Sequence, residues 1–311
     1  MPRPKVSRAA ASGRPVARAA TRGRRSPDAG PGRGPAERAI GVFDSGVGGL
    51  TVLKALAARM PRETLLYLGD TARVPYGSKS ADTVTGYAVE TGDFFAERDV
   101  KLMVVACNTT SAIALDVLRS RYPVPVVGVI EPGARAAIRA TRKGRIGVIG
   151  TEATIGSGAY ARALRDLEPG VEIFTRACPL FVPLAEEGWT DNEVARRTVS
   201  LYLSSLKRSG IDTLILGCTH YPLLRAAIAG YMGPEVTIVD SAEETASEVR
   251  RTLRSGAALR ARGEGGASFF VTDAAERFAR LGERFYGASV GSAVRIVLRG
   301  EAPPRRRRAR P

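Results

Sequence analysis

From residue 39 onward the chain alternates short, continuously apolar runs with longer segments whose apolar residues recur at helical spacing. The apolar runs, each of strand length, fall at 39–43, 64–68, 102–106, 125–130, 145–149, 171–174, 212–216, 235–239, 268–271 and 293–297. Helical periodicity fills 50–59, 80–97, 109–120 and 241–256. The stretch "TDNE" at 190–193 has the form of a capping box, with Thr190 as the predicted cap and Glu193 reaching back to it. The early apolar runs do not alternate with polar residues, which is the signature of strands buried on both faces of a parallel sheet. Strand–helix alternation at this spacing predicts an α/β fold.

The pattern also echoes itself. "IGVFDSGVGG" begins at Ile40 and "IGVIGTEATI" at Ile146, 106 residues later, while Cys107 and Cys218, each at the end of an apolar run, stand 111 residues apart. Two similar α/β units, each bringing one cysteine, account for both offsets. Such units, related by pseudo-twofold symmetry, are expected to face each other across a cleft.

Composition changes this picture little for residues 39–298 and strongly for the ends. Of a formal net charge of +16, residues 1–38 carry ten Lys/Arg against two acids and residues 299–311 six Arg against one acid, which leaves +3 for the body. Both ends are rich in Arg, Pro, Ala and Gly without apolar periodicity, so they are expected to be disordered basic tails. The N-terminal tail has no apolar h-region and is not expected to be a secretory signal; its Arg/Ala/Ser bias is compatible with an organellar transit peptide or with a plain basic extension. No apolar run approaches the ~20 residues of a membrane span. Three cysteines in 311 residues do not form a disulfide framework, so a reducing, cytoplasmic setting is expected. The basic tails suggest weak, non-specific polyanion binding. The near-neutral body carries no nucleic-acid motif, which weighs against nucleic-acid binding as the main function.

Candidate chemistry gathers where apolar runs end. In α/β sheets ligands bind beyond the carboxyl ends of the strands, and Asp44, Cys107, Gly150–Thr151 and Cys218 all stand there. Small or hydroxylated residues follow each, as at helix openings, whose free N–H groups and positive partial charge favour anions. The glycines of 44–49 and Ser45 are expected to cradle one. A thiol at a helix N-terminus is expected to have its pKa lowered from ~8.5. Two thiols on opposite walls of a cleft suit removal of a proton from one face of a carbon and delivery of another to the opposite face. Asp44 beside Cys107, and His220 two residues after Cys218, are candidate bases serving the sulfurs.

Other readings of the same residues stand beside this one. Asp44 can be a helix cap, Cys107 and Cys218 inert core thiols, and Tyr76–Gly77 after Pro75 a plain turn. Cys178, before Pro179 and without a polar companion, reads as structural. A zinc site from Cys107, Cys178, Cys218 and His220 lacks the close cysteine pairs of structural zinc. "GVGG" at 46–49 lacks the spacing of a dinucleotide-binding loop.

Seven motifs in order, "IGVFDSGVGGLTV" (40–52), "YLGDTARVPYG" (67–77), "ACNTTSA" (106–112), "GVIEPGARAA" (128–137), "IGVIGTEATI" (146–155), "CPLFVPLAEEG" (178–188) and "LGCTHYPLL" (216–224), resemble those of the glutamate racemases in the aspartate/glutamate racemase superfamily. The resemblance covers roughly residues 39–298. It implies two pseudo-symmetric α/β domains with mainly parallel sheets and an active site in the cleft between them. The expected division is 39–131 plus 240–298 against 132–239. It further implies Cys107 and Cys218 as catalytic acid/bases, Asp44 as partner of the first, and His220 and Glu186 as partners of the second. Substrate contacts would fall on Asp44, Ser45, Tyr76, Gly77, Asn108, Thr109, Thr219 and His220. The implied reaction interconverts L- and D-glutamate without metal or other cofactor, for peptidoglycan synthesis and hence cell-wall biogenesis and cell shape. A homodimer is expected, with no membrane association. "CTHYP" and "VPYG" favour glutamate over the aspartate or hydantoin substrates of the wider superfamily, and both basic tails depart from the family core.

Overall fold

The computed structural model describes residues 34–298. The expected tails 1–38 and 299–311 lie outside the described residues except for 34–38. There the expectation of disorder does not hold: Pro35–Glu37 forms a 3-10 turn, and Lys101 Nζ donates to the Ala36 carbonyl at 2.8 Å.

Among the described residues, ten strands occupy the ten predicted positions. They are β1 (Ile40–Asp44), β2 (Thr64–Gly69), β3 (Leu102–Val105), β4 (Val126–Gly128), β5 (Arg145–Gly150), β6 (Glu172–Ala177), β7 (Thr213–Gly217), β8 (Thr237–Val239), β9 (Gly266–Val271) and β10 (Val294–Arg295). They form two sheets, ordered β10-β9-β2-β1-β3-β4 and β6-β5-β7-β8, in which every neighbouring pair is parallel. Every residue of β1, β3, β4 and β7 is buried, which is why those runs are apolar without alternation. The order β2-β1-β3-β4 of the first sheet recurs as β6-β5-β7-β8 in the second, so the internal echo is a repeat of topology. The first sheet adds β9 and β10 beside β2, returning the end of the described chain to it.

Two helical expectations are corrected. The segment 109–120 is two helices, Asn108–Ile113 and Leu115–Arg121, meeting at Ala114 with φ −114° and ψ 0°. The helix Glu193–Arg208 is capped by Asn192, not Thr190: the Asn192 side chain accepts from Ala195 N at 2.8 Å, while Glu193 Oε1 accepts from Arg197. Asparagine stands immediately before the first helical residue, where a short acceptor reaches the free N–H groups.

One continuous core joins the two sheets, including Ile40, Val42 and Leu50 of the first half and Ile149, Phe181 and Leu216 of the second. Phe181 packs edge-on to both Tyr202 and Tyr221, with centroids 5.3 and 5.2 Å away. Phe278, on the helix Ala275–Tyr286, lies 5.8 Å from Tyr67 of β2. Among the described residues no helix is long and apolar enough to cross a membrane.

A buried ion pair secures the edge opposite the strands' carboxyl ends. Lys101 Nζ lies 2.6 Å from Glu63 Oε2, with side chains 2% and 1% exposed, and also donates to the carbonyls of Ala36 and Ala258. Removing one partner strands the other charge away from water. Lys101→Ala is therefore expected to destabilise the fold by about 3–5 kcal/mol in chemical denaturation. The apolar double variant Lys101→Met/Glu63→Leu should recover most of that loss; a cost below ~1 kcal/mol for the single variant would mean that water reaches Glu63.

Candidate active site

The parallel register sets which residues share a level at the strands' carboxyl ends. Phe43 of β1 pairs with Val105 of β3, so Ser45 and Cys107 emerge side by side, one residue beyond Asp44. In the second sheet Gly150 of β5 pairs with Gly217 of β7, so Thr151 and Cys218 emerge side by side. Cys107 and Cys218 thus occupy equivalent places in the repeat, each just past the third strand of its four-strand unit.

On the first side, Asp44 is fully buried; its Oδ2 accepts from Gly46 N at 2.9 Å and its Oδ1 from Thr219 Oγ1 at 3.5 Å. Burial raises the Asp44 carboxyl, and the charge of His220 with the N–H groups of Gly46, Gly49 and Ser45 partly offsets it. The Cys107 thiol is directed at Ser45 Oγ, 3.7 Å away. Burial, reinforced by the nearby Asp44 charge, pushes Cys107 up to about 11, with hydrogen bonds from Thr110 and Ser45 acting the other way. This corrects the expectation of a lowered pKa. The helix behind Cys107 is only Asn108–Ile113, and its N-terminus does not outweigh desolvation beside an acid.

On the second side, Cys218 Sγ lies 3.9 Å from His220 Nδ1, and His220 Nε2 lies 3.3 Å from Glu186 Oε1. Burial disfavours a charged ring here, but hydrogen bonds with Cys218 and Glu186 and the charges of Cys218 and Asp44 prevail and raise His220 to about 10. Glu186 is held below its ordinary range, chiefly by the hydrogen bond with His220. The chain beyond Cys218 does not open directly into an α-helix, as the sequence suggests. It passes through a 3-10 turn, Tyr221–Leu224, containing Pro222, before the helix Arg225–Met232 begins.

The two sides meet around a cavity of about 40 Å³ whose wall includes Cys107, Cys218, Ser45, Tyr76, Gly77, Asn108, Thr109, Thr219, His220 and Glu186. Every predicted site residue is on that wall except Asp44, which is buried behind it and accepts from Thr219, itself on the wall. The glycines have a use beyond any anion: a Cβ on Gly49 would lie 2.5 Å from Asp44 Cβ, and one on Gly77 2.5 Å from Thr151 Cβ. Close approach of backbone to side chain is what requires glycine at both positions.

Hydrogen bonds stitch the halves together beside the cavity. Thr109 Oγ1 lies 3.0 Å from Thr151 Oγ1 and 3.1 Å from Thr154 Oγ1, and Tyr160 donates to Asn108 Oδ1 at 2.7 Å. Tyr76 is fixed by donating its hydroxyl to Asp70, which also accepts from Thr272 Oγ1 at 2.8 Å. Sequence reading did not single out Tyr160, Asp70 or the cavity residue Val182. Asp70 ends a strand as Asp44 does, and that was its available signal; Tyr160 and Val182 lie within helical segments and gave none. Cys178 is buried beneath the site, its carbonyl accepting from Tyr221 at 2.9 Å. Among the described residues no three His, Cys, Asp or Glu side chains gather as a metal site would require.

This arrangement has counterparts among known proteins. The Asp/Glu/hydantoin racemase family profile matches residues 48–249. A glutamate racemase of Geobacter metallireducens is 58% identical over 265 residues, 85% of this chain and 98% of the relative. A crystal structure of a Bacillus anthracis glutamate racemase isoform superposes with a TM-score of 0.81 at 41% identity, covering 84% of this chain and 98% of that one. A Francisella tularensis glutamate racemase solved with D-glutamate gives a TM-score of 0.81 at 35% identity, covering 86% of this chain and all of that one. With its fold, its repeat and its paired thiols, the chain belongs to the Asp/Glu/hydantoin racemase family.

Proposed function

We propose that the protein interconverts L- and D-glutamate by proton transfer between two cysteines, without a cofactor. The observation that carries this reading is the placement of two free thiols, Cys107 and Cys218, at equivalent strand ends of opposite halves and on the wall of one cavity. The choice of glutamate rests on the relatives named above. We take residues 39–131 with 240–298, and 132–239, as the two domains that form the cleft.

The reaction breaks the Cα–H bond of the bound amino acid. One sulfur, as thiolate, takes the proton and becomes a thiol. The electron pair stays on a planar carbanion, and the other thiol delivers its own proton to the opposite face, becoming a thiolate. The result is the other enantiomer with the roles of the sulfurs exchanged. Cys107, held up to about 11, is a thiol at neutral pH and thus starts as the proton donor. Charged His220 offers an N–H to the Cys218 sulfur when that sulfur is a thiolate. Asp44 and the His220–Glu186 pair serve the Cys107 and Cys218 sides respectively. Backbone N–H groups at Ser45, Asn108 and Thr219 would donate to the substrate's carboxylates, and the Tyr76 and Thr109 hydroxyls with the Gly77 backbone complete the wall around it. The biological role we infer is cytoplasmic supply of D-glutamate for peptidoglycan.

Cys107→Ala and Cys218→Ala are each expected to lower racemisation by more than about a thousandfold without unfolding the chain, as read by circular dichroism and a coupled assay of both enantiomers. The wild type should keep its activity after exhaustive chelation and removal of pyridoxal phosphate. Near-normal turnover by either cysteine variant, or loss on chelation restored by zinc, would overturn the mechanism.

His220 is the chain's single histidine, so its imidazole signals need no assignment by mutation. They should titrate near the value of about 10 given by its surroundings, not near 6.5. A pKa raised in the folded state stabilises fully below the unfolded pKa and is lost as pH rises through the folded one. The stability gap between wild type and His220→Asn should therefore be widest below about pH 6.5 and close toward pH 10. A midpoint near 6.5 in the nuclear magnetic resonance titration would show that the ring is neutral at rest.

A further inference from the structure

The His220–Glu186 pair is not left to itself. Glu186 meets His220 through Oε1, and its other oxygen, Oε2, accepts from Arg277 Nη2 at 3.1 Å. The backbone carbonyl of the same residue accepts from Arg284 Nη1 at 3.0 Å. The two arginines stand seven residues apart, two turns along one face of the helix Ala275–Tyr286. That helix belongs to the first half: Phe278 packs on Tyr67 of β2, and a Cβ on Gly282 would touch Leu50 at 3.1 Å. Glu186 belongs to the second half, on the helix Phe181–Glu187, which Phe181 anchors on Tyr202 and Tyr221. One residue beyond Arg284 the same helix places Phe285 edge-on to the His220 ring, with centroids 5.2 Å apart. Gly188, with φ +76°, ends the Glu186 helix where a Cβ would lie 2.7 Å from Arg284 Nη1. A side chain there would push the guanidinium off the carbonyl.

We propose that Arg277 and Arg284 are positioning residues for the Cys218 side of the site: from across the cleft they hold Glu186 so that its free oxygen meets His220. The pair that serves Cys218 is then assembled only when the helix Ala275–Tyr286 of the first half is seated against the second. This inference rests on the two-cysteine reading given above. The Arg277 side chain is 53% exposed and that of Glu186 20%, so the effect is that of a part-screened pair. It acts by orientation rather than by a large charge energy.

The test compares Arg277→Ala, Arg284→Ala and Arg277→Lys in the full-length chain, each also combined with Glu186→Gln, using α-protonated and α-deuterated D- and L-glutamate. Both arginines are on the surface, so the variants should fold; their melting temperatures check this. Arg277→Ala should lower kcat about two- to tenfold, and Arg277→Lys should recover most of the loss. With Glu186→Gln already present, Arg277→Ala should cost less than about twofold more, because residues acting through a shared partner are not additive. The primary isotope effect should rise only in the direction in which Cys218 takes the proton; a purely structural defect would not distinguish the directions. Full activity of Arg277→Ala, additive losses in the double variant, or isotope effects that move equally in both directions would overturn the proposal while leaving the two-cysteine reading intact. Absence of glutamate racemisation in the unmodified chain would instead remove the reading beneath it, and that result precedes any variant.

Discussion

The site depends on how closely one backbone loop can approach the opposite half of the molecule. A Cβ on Gly48 would overlap Thr219 Oγ1 and lie 2.6 Å from His220 Nδ1. Only a residue without a side chain lets the loop after β1 press against the turn after β7. That contact brings Thr219 onto Asp44 and places the His220 charge near a carboxyl that burial would otherwise keep neutral. The His220 charge thus partly offsets the burial of an acid in the opposite half, while His220 itself is held charged chiefly by Cys218 and Glu186 of its own half.

The repeated strand order explains why the halves present equivalent thiols; their partners explain why the thiols are not equivalent in chemistry. Cys107 faces a hydroxyl, Ser45, and a fully buried acid. Cys218 faces an imidazole backed by a carboxylate. The first setting favours the neutral sulfur and the second offers a cation to a charged one. The proposed exchange of protons between two sulfurs asks for unequal surroundings, and two different sets of partners on a symmetric scaffold supply them without any change to the fold.

Residues that act within one segment were the most legible in sequence. The strands β1, β3, β4 and β7 show as unbroken apolar runs because a parallel sheet covered on both sides demands side chains of one kind, whereas β6 and β10 carry exposed polar positions. Asp44, Cys107 and Cys218 stand out because polar residues directly after such runs have few other uses. What sequence did not show arises from long-range packing or competition. Thr190 fits a capping pattern, yet Asn192, nearer the first helical N–H groups, takes the position. The Cys107 pKa reverses direction because desolvation, visible only in three dimensions, outweighs a six-residue helix. Arg277 lies 91 residues from Glu186 and inside no motif, so nothing local marks it.

The size of the cavity carries the last step. At about 40 Å³ it has room for about three or four waters at roughly 10–15 Å³ each, not for an amino acid with two carboxylates. For the proposed substrate to enter, the halves must separate, and the bonds that join them beside the cavity are defined. Thr109 must release Thr151 and Thr154, Tyr160 must release Asn108, and Arg277 and Arg284 must release Glu186. Each of these is a single hydrogen bond or a part-exposed pair, worth on the order of 1 kcal/mol. The continuous apolar core beneath them holds the sheets together while the polar seam above it opens. The Thr109 and Thr151 hydroxyls and the Asn108 amide freed by such opening also line the cavity, so in the proposed reaction a bound amino acid would take over bonds that otherwise join the halves. Binding and closure thereby draw on one set of polar atoms, and expulsion of water from around the two sulfurs accompanies both.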